Sequence, residues 1–312
     1  LSDEEANDDD PLDRMESAMK QVPLCIFGEV LFDHFPDGKR VLGGAPFNVA
    51  WHLQAFGLVP RFISRIGTDA EGESVLGAMR DWGMDTQAVQ LDNRLPTGRV
   101  SVQITDDEPS YDIVTDCAYD AIGFQPELIP AGSFIYHGTL AIRSAVSRLT
   151  LDAILRDTRP AVVFLDVNLR PPWWDPDTVM QRVIESDWVK LNTDELDQLG
   201  ARSASDLMVE NNLSGLILTL GGEGAEAWTS GGEKCIVRPG AGVRLVDTVG
   251  AGDAFTSVMI LGIISRWTLP VTLERAQTFA SLIVGQRGAT VSDRDFYAPL
   301  LEAWDLPPAT SG

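Results

Sequence analysis

Positive charge is scarce in this chain. Its 24 Lys and Arg residues stand against 46 Asp and Glu, a formal net charge of -22, and such a surface repels the phosphate backbone of nucleic acids at long range. A nucleic-acid partner is therefore not expected. A single nucleotide is not excluded, because local backbone N–H groups, an arginine and a metal ion can hold one whatever the sign of the whole surface. Cysteine is scarce too: Cys25, Cys117 and Cys235 are odd in number and widely spaced, with no C-x-x-C pair, which suggests neither a disulfide framework nor a zinc site. No apolar run approaches the roughly 20 residues that cross a bilayer, and the N-terminus is acidic, the opposite of a secretory signal. The expectation is a cytoplasmic protein with no membrane partner. The G-x-x-x-x-G-K-[ST] loop is also missing, so a P-loop route to phosphate is unsupported.

What is present is a globular chain of 312 residues, 44% of them hydrophobic, long enough to bury a large α/β core. Residues 1–21 are mostly polar and include Asp8-Asp9-Asp10, which reads as a disordered acidic lead or an expression-vector remnant. One domain is expected over 22–306, with a loose tail at 307–312. Short apolar runs at Val22 to Phe27, Arg61 to Gly67, Ser133 to His137, Val162 to Leu165, Trp188 to Leu191 and Leu216 to Leu220 are separated by helical stretches such as Gly72 to Trp82 and Leu273 to Val284. That is the βαβ rhythm of a mostly parallel sheet, whose ligands bind outside the carboxyl ends of the strands. The rhythm changes at Thr97 to Thr105 and Ser110 to Thr115, where apolar and polar residues alternate around Asp106-Asp107-Glu108-Pro109. A half-exposed hairpin is expected there.

The chain is organised around Asp247-Thr248-Val249-Gly250-Ala251-Gly252-Asp253-Ala254-Phe255, followed by a run without charge to Ser265. An uncharged helix of this length is normally buried on all faces. Its start leaves backbone N–H groups without partners, and Gly-Ala-Gly keeps side chains away, so an anion can approach. Asp253 alone reads as a helix cap; beside a bound phosphate it could accept the proton of an attacking alcohol. Other polar clusters fall at strand ends. Gly43-Gly44-Ala45-Pro46-Phe47-Asn48 precedes an amphipathic pattern at Val49, Ala50, Leu53 and Phe56, and the diglycine lets backbone approach a ligand. Asp166, Asn168 and Arg170 point the same way if the chain is extended, so all three could converge on one ligand. Asn192-Thr193-Asp194-Glu195 has the spacing of a capping box. Gly222-x-Gly224-x-x-Ala227 mimics a dinucleotide fingerprint, but Trp228, Thr229 and Ser230-Gly231-Gly232 leave no room for the helix that fingerprint needs.

The string D-T-x-G-A-G-D-x-F closely resembles the C-terminal signature of the ribokinase-like carbohydrate kinases, the PfkB family, and the resemblance extends over about residues 22–305. It implies a three-layer α/β/α sandwich with a mostly parallel central sheet and a small β lid, built from segments near 30–42 and 88–117. It further implies ATP-dependent transfer of a phosphoryl group to a sugar hydroxyl, with Asp253 as base and Gly250, Ala251 and Gly252 completing the anion hole. G-G-x-x-x-N-x-A is similar to the N-terminal signature, which places Gly43, Gly44 and Asn48 in the acceptor pocket with Asp33, Asp166 and Asn168. Arg170 would hold the transferring phosphate or the sugar, and Ile113 would cover the sugar's apolar face. Asn192, Thr219, Gly221, Gly222, Gly224, Gly288 and Ala289 match positions that contact ATP. Glu195 would orient water on Mg²⁺, and backbone near Asp247 and Val249 would line a K⁺ site. D-x-N-x-R before Trp173 looks like the fructokinase and 2-keto-3-deoxygluconate kinase branch. Fructose is the first expectation, with 2-keto-3-deoxygluconate, another sugar, a nucleoside, or a catalytically silent sugar sensor as alternatives. Relatives that pair through the lid imply a homodimer.

Overall fold

A computed structural model describes residues 22–105, 108–240 and 245–307; the acidic lead, the tail from 308 and the hairpin tip Asp106-Asp107 lie outside the described residues. In chain order the elements are β1 (Leu24–Phe27), β2 (Leu31–His34), β3 (Arg40–Gly43), α1 (Ala45–Ala55), β4 (Arg61–Gly67), α2 (Ala70–Asp81), β5 (Val89–Asp92), β6 (Gly98–Thr105), β7 (Glu108–Ile113), β8 (Phe134–His137), α3 (Ala145–Thr158), β9 (Val162–Asp166), α4 (Pro176–Ile184), β10 (Trp188–Asn192), α5 (Thr193–Gln198), α6 (Ala204–Glu210), β11 (Gly215–Thr219), β12 (Ala225–Thr229), β13 (Lys234–Val237), α7 (Ala251–Ile264), α8 (Leu269–Ile283) and α9 (Ala298–Ala303).

Nine strands form one sheet in the order β13-β12-β11-β10-β9-β8-β1-β4-β5. Pairing is parallel from β11 through β5, and β12 and β13 return antiparallel at one edge. Period-two alternation sends neighbouring side chains to opposite faces, and β1 illustrates it. Leu24 and Ile26 join the cluster under α1, α7 and α8, while Cys25 and Phe27 join one with Leu151 and Ile154 of α3. A third cluster packs Leu165, Val189 and Leu216 against Val179 of α4 and Leu207 of α6. The helix α7 is buried from Ala254 to Gly262 without interruption, as its uncharged sequence predicts. Gly262 lets α8 approach it: a Cβ there would lie 2.3 Å from Thr272 Cγ2.

A second sheet, β3-β2-β6-β7, stands apart from the first. It contains the expected hairpin, β6 and β7 paired antiparallel, but Glu108 and Pro109 pair within β7 instead of lying in the turn, and the strand ends at Ile113. Glu71 at the start of α2 joins it to the main body: its carboxylate lies 2.7 Å from His34 Nε2 and 3.5 Å from both Arg40 and Arg99.

Four further expectations are corrected. β5 pairs in parallel with β4 in the large sheet, so the second sheet takes up strands only after Asp92, not from residue 88. α8 begins at Leu269 rather than Leu273, with proline in its first turn, where a missing N–H costs nothing. α2 begins at Ala70 rather than Gly72, because the Asp69 side chain accepts from Gly72 N. α1 is not amphipathic, since Pro46 through Ala55 are all buried.

Candidate active site

The polar groups gather at the carboxyl ends of β1, β8, β9 and β10, where α7 points its N-terminus at the sheet. Gly250 precedes that helix in the left-handed region, φ 82°, and a Cβ on it would lie 2.4 Å from Ala289 Cα; only glycine fits. The turn closes with Ala251 N–H on Thr248 O and Ala254 N–H on Gly250 O. Among the described residues, no acceptor takes the N–H groups of Gly252 and Asp253, so two donors face the crevice at the positive end of the helix.

Asp253 is half-buried beside them. Asn48 Nδ2 donates to its Oδ2 at 2.7 Å, joining the first signature to the last. Burial pushes the Asp253 carboxyl up to about 6; the Asn48 bond and the charges of Lys190 and Arg170 pull it down, while Asp166 pushes it up. Asn48 is carried by the first turn of α1, and Gly44 caps that helix with φ 108°. A Cβ at Gly44 would lie 2.7 Å from Glu29 O, so the diglycine is needed to bring these backbones together. Gly43 ends β3 opposite Leu31 of β2. Its absent Cβ would be 3.9 Å from Asp33 Oδ2, and burial pushes the Asp33 carboxyl up to about 6 against the pull of Arg170.

Arg170 is exposed, and among the described residues its side chain bonds only its neighbour's carbonyl, Leu169 O at 3.3 Å. Its positive charge lowers the pKa of Glu29, Asp33 and Asp253 alike, so all three carboxyl groups share this one exposed cation. Asp166 and Asn168 do not share its direction as an extended chain would require. Asn168 has φ 39°, a left-handed step that asparagine tolerates, and it breaks the period-two register. Asp166 is turned inward, 1% exposed, accepting from Lys190 Nζ at 3.0 and 2.8 Å and from Thr256 Oγ1 at 2.9 Å. Ile113 is 8% exposed and belongs to the cluster of Leu31, Val100 and Tyr119, so little of it remains to cover a ligand.

At the carboxyl end of β10, Asn192 and Glu195 form a capping box: Glu195 N donates to Asn192 Oδ1 and Asn192 N to Glu195 Oε2. The remaining oxygen, Oε1, accepts from Leu169 N at 2.9 Å, so the same carboxylate anchors the loop carrying Arg170. Thr219 ends β11, with Oγ1 3.4 Å from Leu191 O. Gly221 and Gly222 open a single 3₁₀ turn, and Gly224 (φ 106°) swings the chain into β12, where a Cβ would collide with Val237 O. This return strand replaces the helix of a dinucleotide site. Asp247 accepts from Val249 N at 3.0 Å and Gly288 N at 3.1 Å, joining the loops on either side of Gly250 and Ala289.

Three further residues belong to the crevice. Glu29 is 3% exposed, and burial pushes its carboxyl up to about 7. Its Oε2, Asn48 Oδ1 and Tyr136 Oη lack partners among the described residues. Lys190 is 8% exposed inside the strand run Trp-Val-Lys-Leu; burial opposes its charge and Asp166 reverses that, so the ammonium titrates above its ordinary value. A lone lysine in an apolar strand was the readable signal, since such a charge is almost never buried without a partner. Glu29 and Tyr136 carried no comparable mark.

The pfkB family carbohydrate kinase model matches residues 24–295. A fructokinase of Klebsiella pneumoniae is 29% identical over 295 residues, covering 85% of this chain and 94% of the relative. The structure of a fructokinase with bound ATP from Xylella fastidiosa superposes with a TM-score of 0.80 at 20% identity, over 91% of this chain and 99% of that one. That of a fructokinase from Vibrio cholerae with fructose, ADP and calcium bound gives 0.74 at 25% identity, over 90% and 99%. The sandwich is thus the ribokinase-like one, and with the family model spanning every strand of both sheets, this chain belongs to the pfkB family of carbohydrate kinases.

Proposed function

We propose that the protein is an ATP-dependent sugar kinase whose acceptor is a hydroxyl of a neutral sugar, fructose before others. One observation carries the reading: Asp253, held by Asn48 at 2.7 Å, stands beside two unpaired backbone N–H groups. A carboxylate base and an anion hole thus share one helix turn. Asp253 takes the proton of the acceptor hydroxyl as the hydroxyl oxygen bonds to the γ-phosphorus of ATP and the bond from that phosphorus to the β,γ-bridging oxygen breaks, releasing ADP. The N–H groups of Gly252 and Asp253 bind charge growing on the phosphoryl oxygens, and Arg170 offsets more of it from the side. Asp33, Glu29, Asn48 and Tyr136 supply hydrogen-bonding groups to a polyhydroxy acceptor. The second sheet, closing over them, would exclude water and so suppress wasteful ATP hydrolysis.

Among the described residues, no group of three His, Cys, Asp or Glu could hold a metal ion. Both Glu195 oxygens already accept backbone N–H groups, so the residues fit a Mg²⁺ ion that arrives with the nucleotide and meets Glu195 through water, not a protein cage. Bound in this way, such an ion neutralises phosphate charge. Asp247, with Val249 and Gly288 on its two oxygens, is the fixed point around which backbone carbonyls would take K⁺.

ADP release with Mg-ATP and K⁺, measured across fructose, ribose, 2-keto-3-deoxygluconate, tagatose and adenosine, tests the reading. One neutral sugar is expected to stimulate turnover, and Asp253→Asn to lower kcat by about 10²–10⁴-fold. Stimulation by 2-keto-3-deoxygluconate alone would overturn the neutral acceptor. Full activity in the variant would overturn the base. Sugar binding without turnover would identify a sensor.

A further inference from the structure

The ion pair of Lys190 and Asp166 lies directly behind the anion hole. Lys190 Nζ reaches both Asp166 oxygens, and Thr256 Oγ1 sits 2.9 Å from Asp166 Oδ2 and 2.9 Å from the carbonyl oxygen of Gly252. The Cβ that Gly252 lacks would fall 3.4 Å from Nζ. Strands β9 and β10 thus grip the first turn of α7 through one buried chain of contacts. A buried ion pair is weak evidence for stability, since apolar residues of similar volume often do as well, so the charges are better explained by what they face.

What they face is the Gly252–Asp253 peptide, which presents one of the two unpaired N–H groups and leads into the carboxylate of Asp253. We propose that Lys190 is a positioning residue for phosphoryl transfer: through Asp166 and Thr256 it fixes the Gly252–Asp253 peptide, and it sets a positive charge behind the turn that carries Asp253. The proposal rests on the kinase reading above. Asp253 is faced by Asn48 from α1, Glu29 beyond β1, Tyr136 from β8, Asp166 and Arg170 from the end of β9, and Lys190 from β10. Within this set Lys190 and Asp166 are the two partners of one ion pair and act on Asp253 in opposite senses. Removing either breaks the ion pair, but the electrostatic consequences differ in sign.

The test is a ¹³C-carboxyl NMR titration of the full chain, with the Asp253 resonance assigned by its loss in Asp253→Asn. Lys190→Met is expected to raise the Asp253 midpoint by about one unit and Asp166→Asn to lower it by about one unit. Kinetics should follow: Lys190→Met lowers kcat about tenfold or more, leaves the acceptor KM within about threefold, and moves the acid limb of kcat/KM upward. A strut without an electrostatic role would move both midpoints the same way or neither, and that result overturns the proposal. If circular dichroism shows one variant unfolded, the direction of shift in the other decides. Failure of the kinase reading is separately visible, as wild-type protein with no acceptor-stimulated ADP release while the two midpoints still diverge.

Discussion

Three carboxyl groups, Glu29, Asp33 and Asp253, share a crevice whose exposed cation is Arg170, and burial has raised all of them. Asp253 must be ionised to accept a proton, so kcat/KM should fall about tenfold per pH unit below about 6; a pH–rate profile without that limb would remove Asp253 from the role. Glu29 makes a different prediction. Its folded-state pKa of about 7 lies above the ordinary carboxylate value, so its contribution to stability is fully present below the unfolded pKa and is lost as pH rises through 7. Glu29→Gln cannot ionise, and the difference in Tm between variant and wild type should shift in the variant's favour from pH 4 to pH 8. The variant should also raise the acceptor KM, a loss that thermal melts do not register. Asp253, Asn48 and Gly44 were legible because their types recur at set spacings around glycines. Glu29 and Tyr136 were not, since their importance lies in burial without a partner, which only three dimensions reveal.

Among the elements, α7 and its neighbours illustrate what hydrophobic period does and does not say. An uncharged run from Ala254 named a buried helix, and alternation named the β6–β7 hairpin. β5 misled because Val89-Gln90-Leu91-Asp92 is itself half-exposed at the edge of the large sheet, so its pattern resembles that of the second sheet. The loop after β9 misled because one left-handed residue, Asn168, reverses a direction that the extended register assumes. Two predictions belong here. Gly262→Ala places a methyl 2.3 Å from Thr272 Cγ2 and should destabilise the protein by about 1–3 kcal/mol, read as a lower Tm. Glu71→Gln weakens the contact of α2 with His34, Arg40 and Arg99; acceptor KM should rise several-fold and ADP release without acceptor should increase, whereas a merely local surface contact would change neither.

For the whole molecule, the charge of -22 means self-repulsion that counterions screen. Tm should rise as salt is raised from about 0.01 to 0.5 M, across which the Debye length shrinks severalfold; a flat response would mean that local ion pairs already balance the surface. The bond from Asn48 to Asp253 joins positions 205 apart, and others reinforce it. Buried His52 bonds Tyr297 Oη at 2.9 Å and Ala289 O at 3.0 Å, and Trp51 Nε1 donates to Val291 O. A chain emerging from the ribosome therefore exposes Gly43, Gly44 and Asn48 long before the segment carrying Asp253 has been translated. Until residues 289–297 emerge, α1 offers unmet polar groups and an open apolar flank. The newborn protein passes through an interval in which Asn48, His52 and Trp51 still lack the partners that the last quarter of the chain supplies.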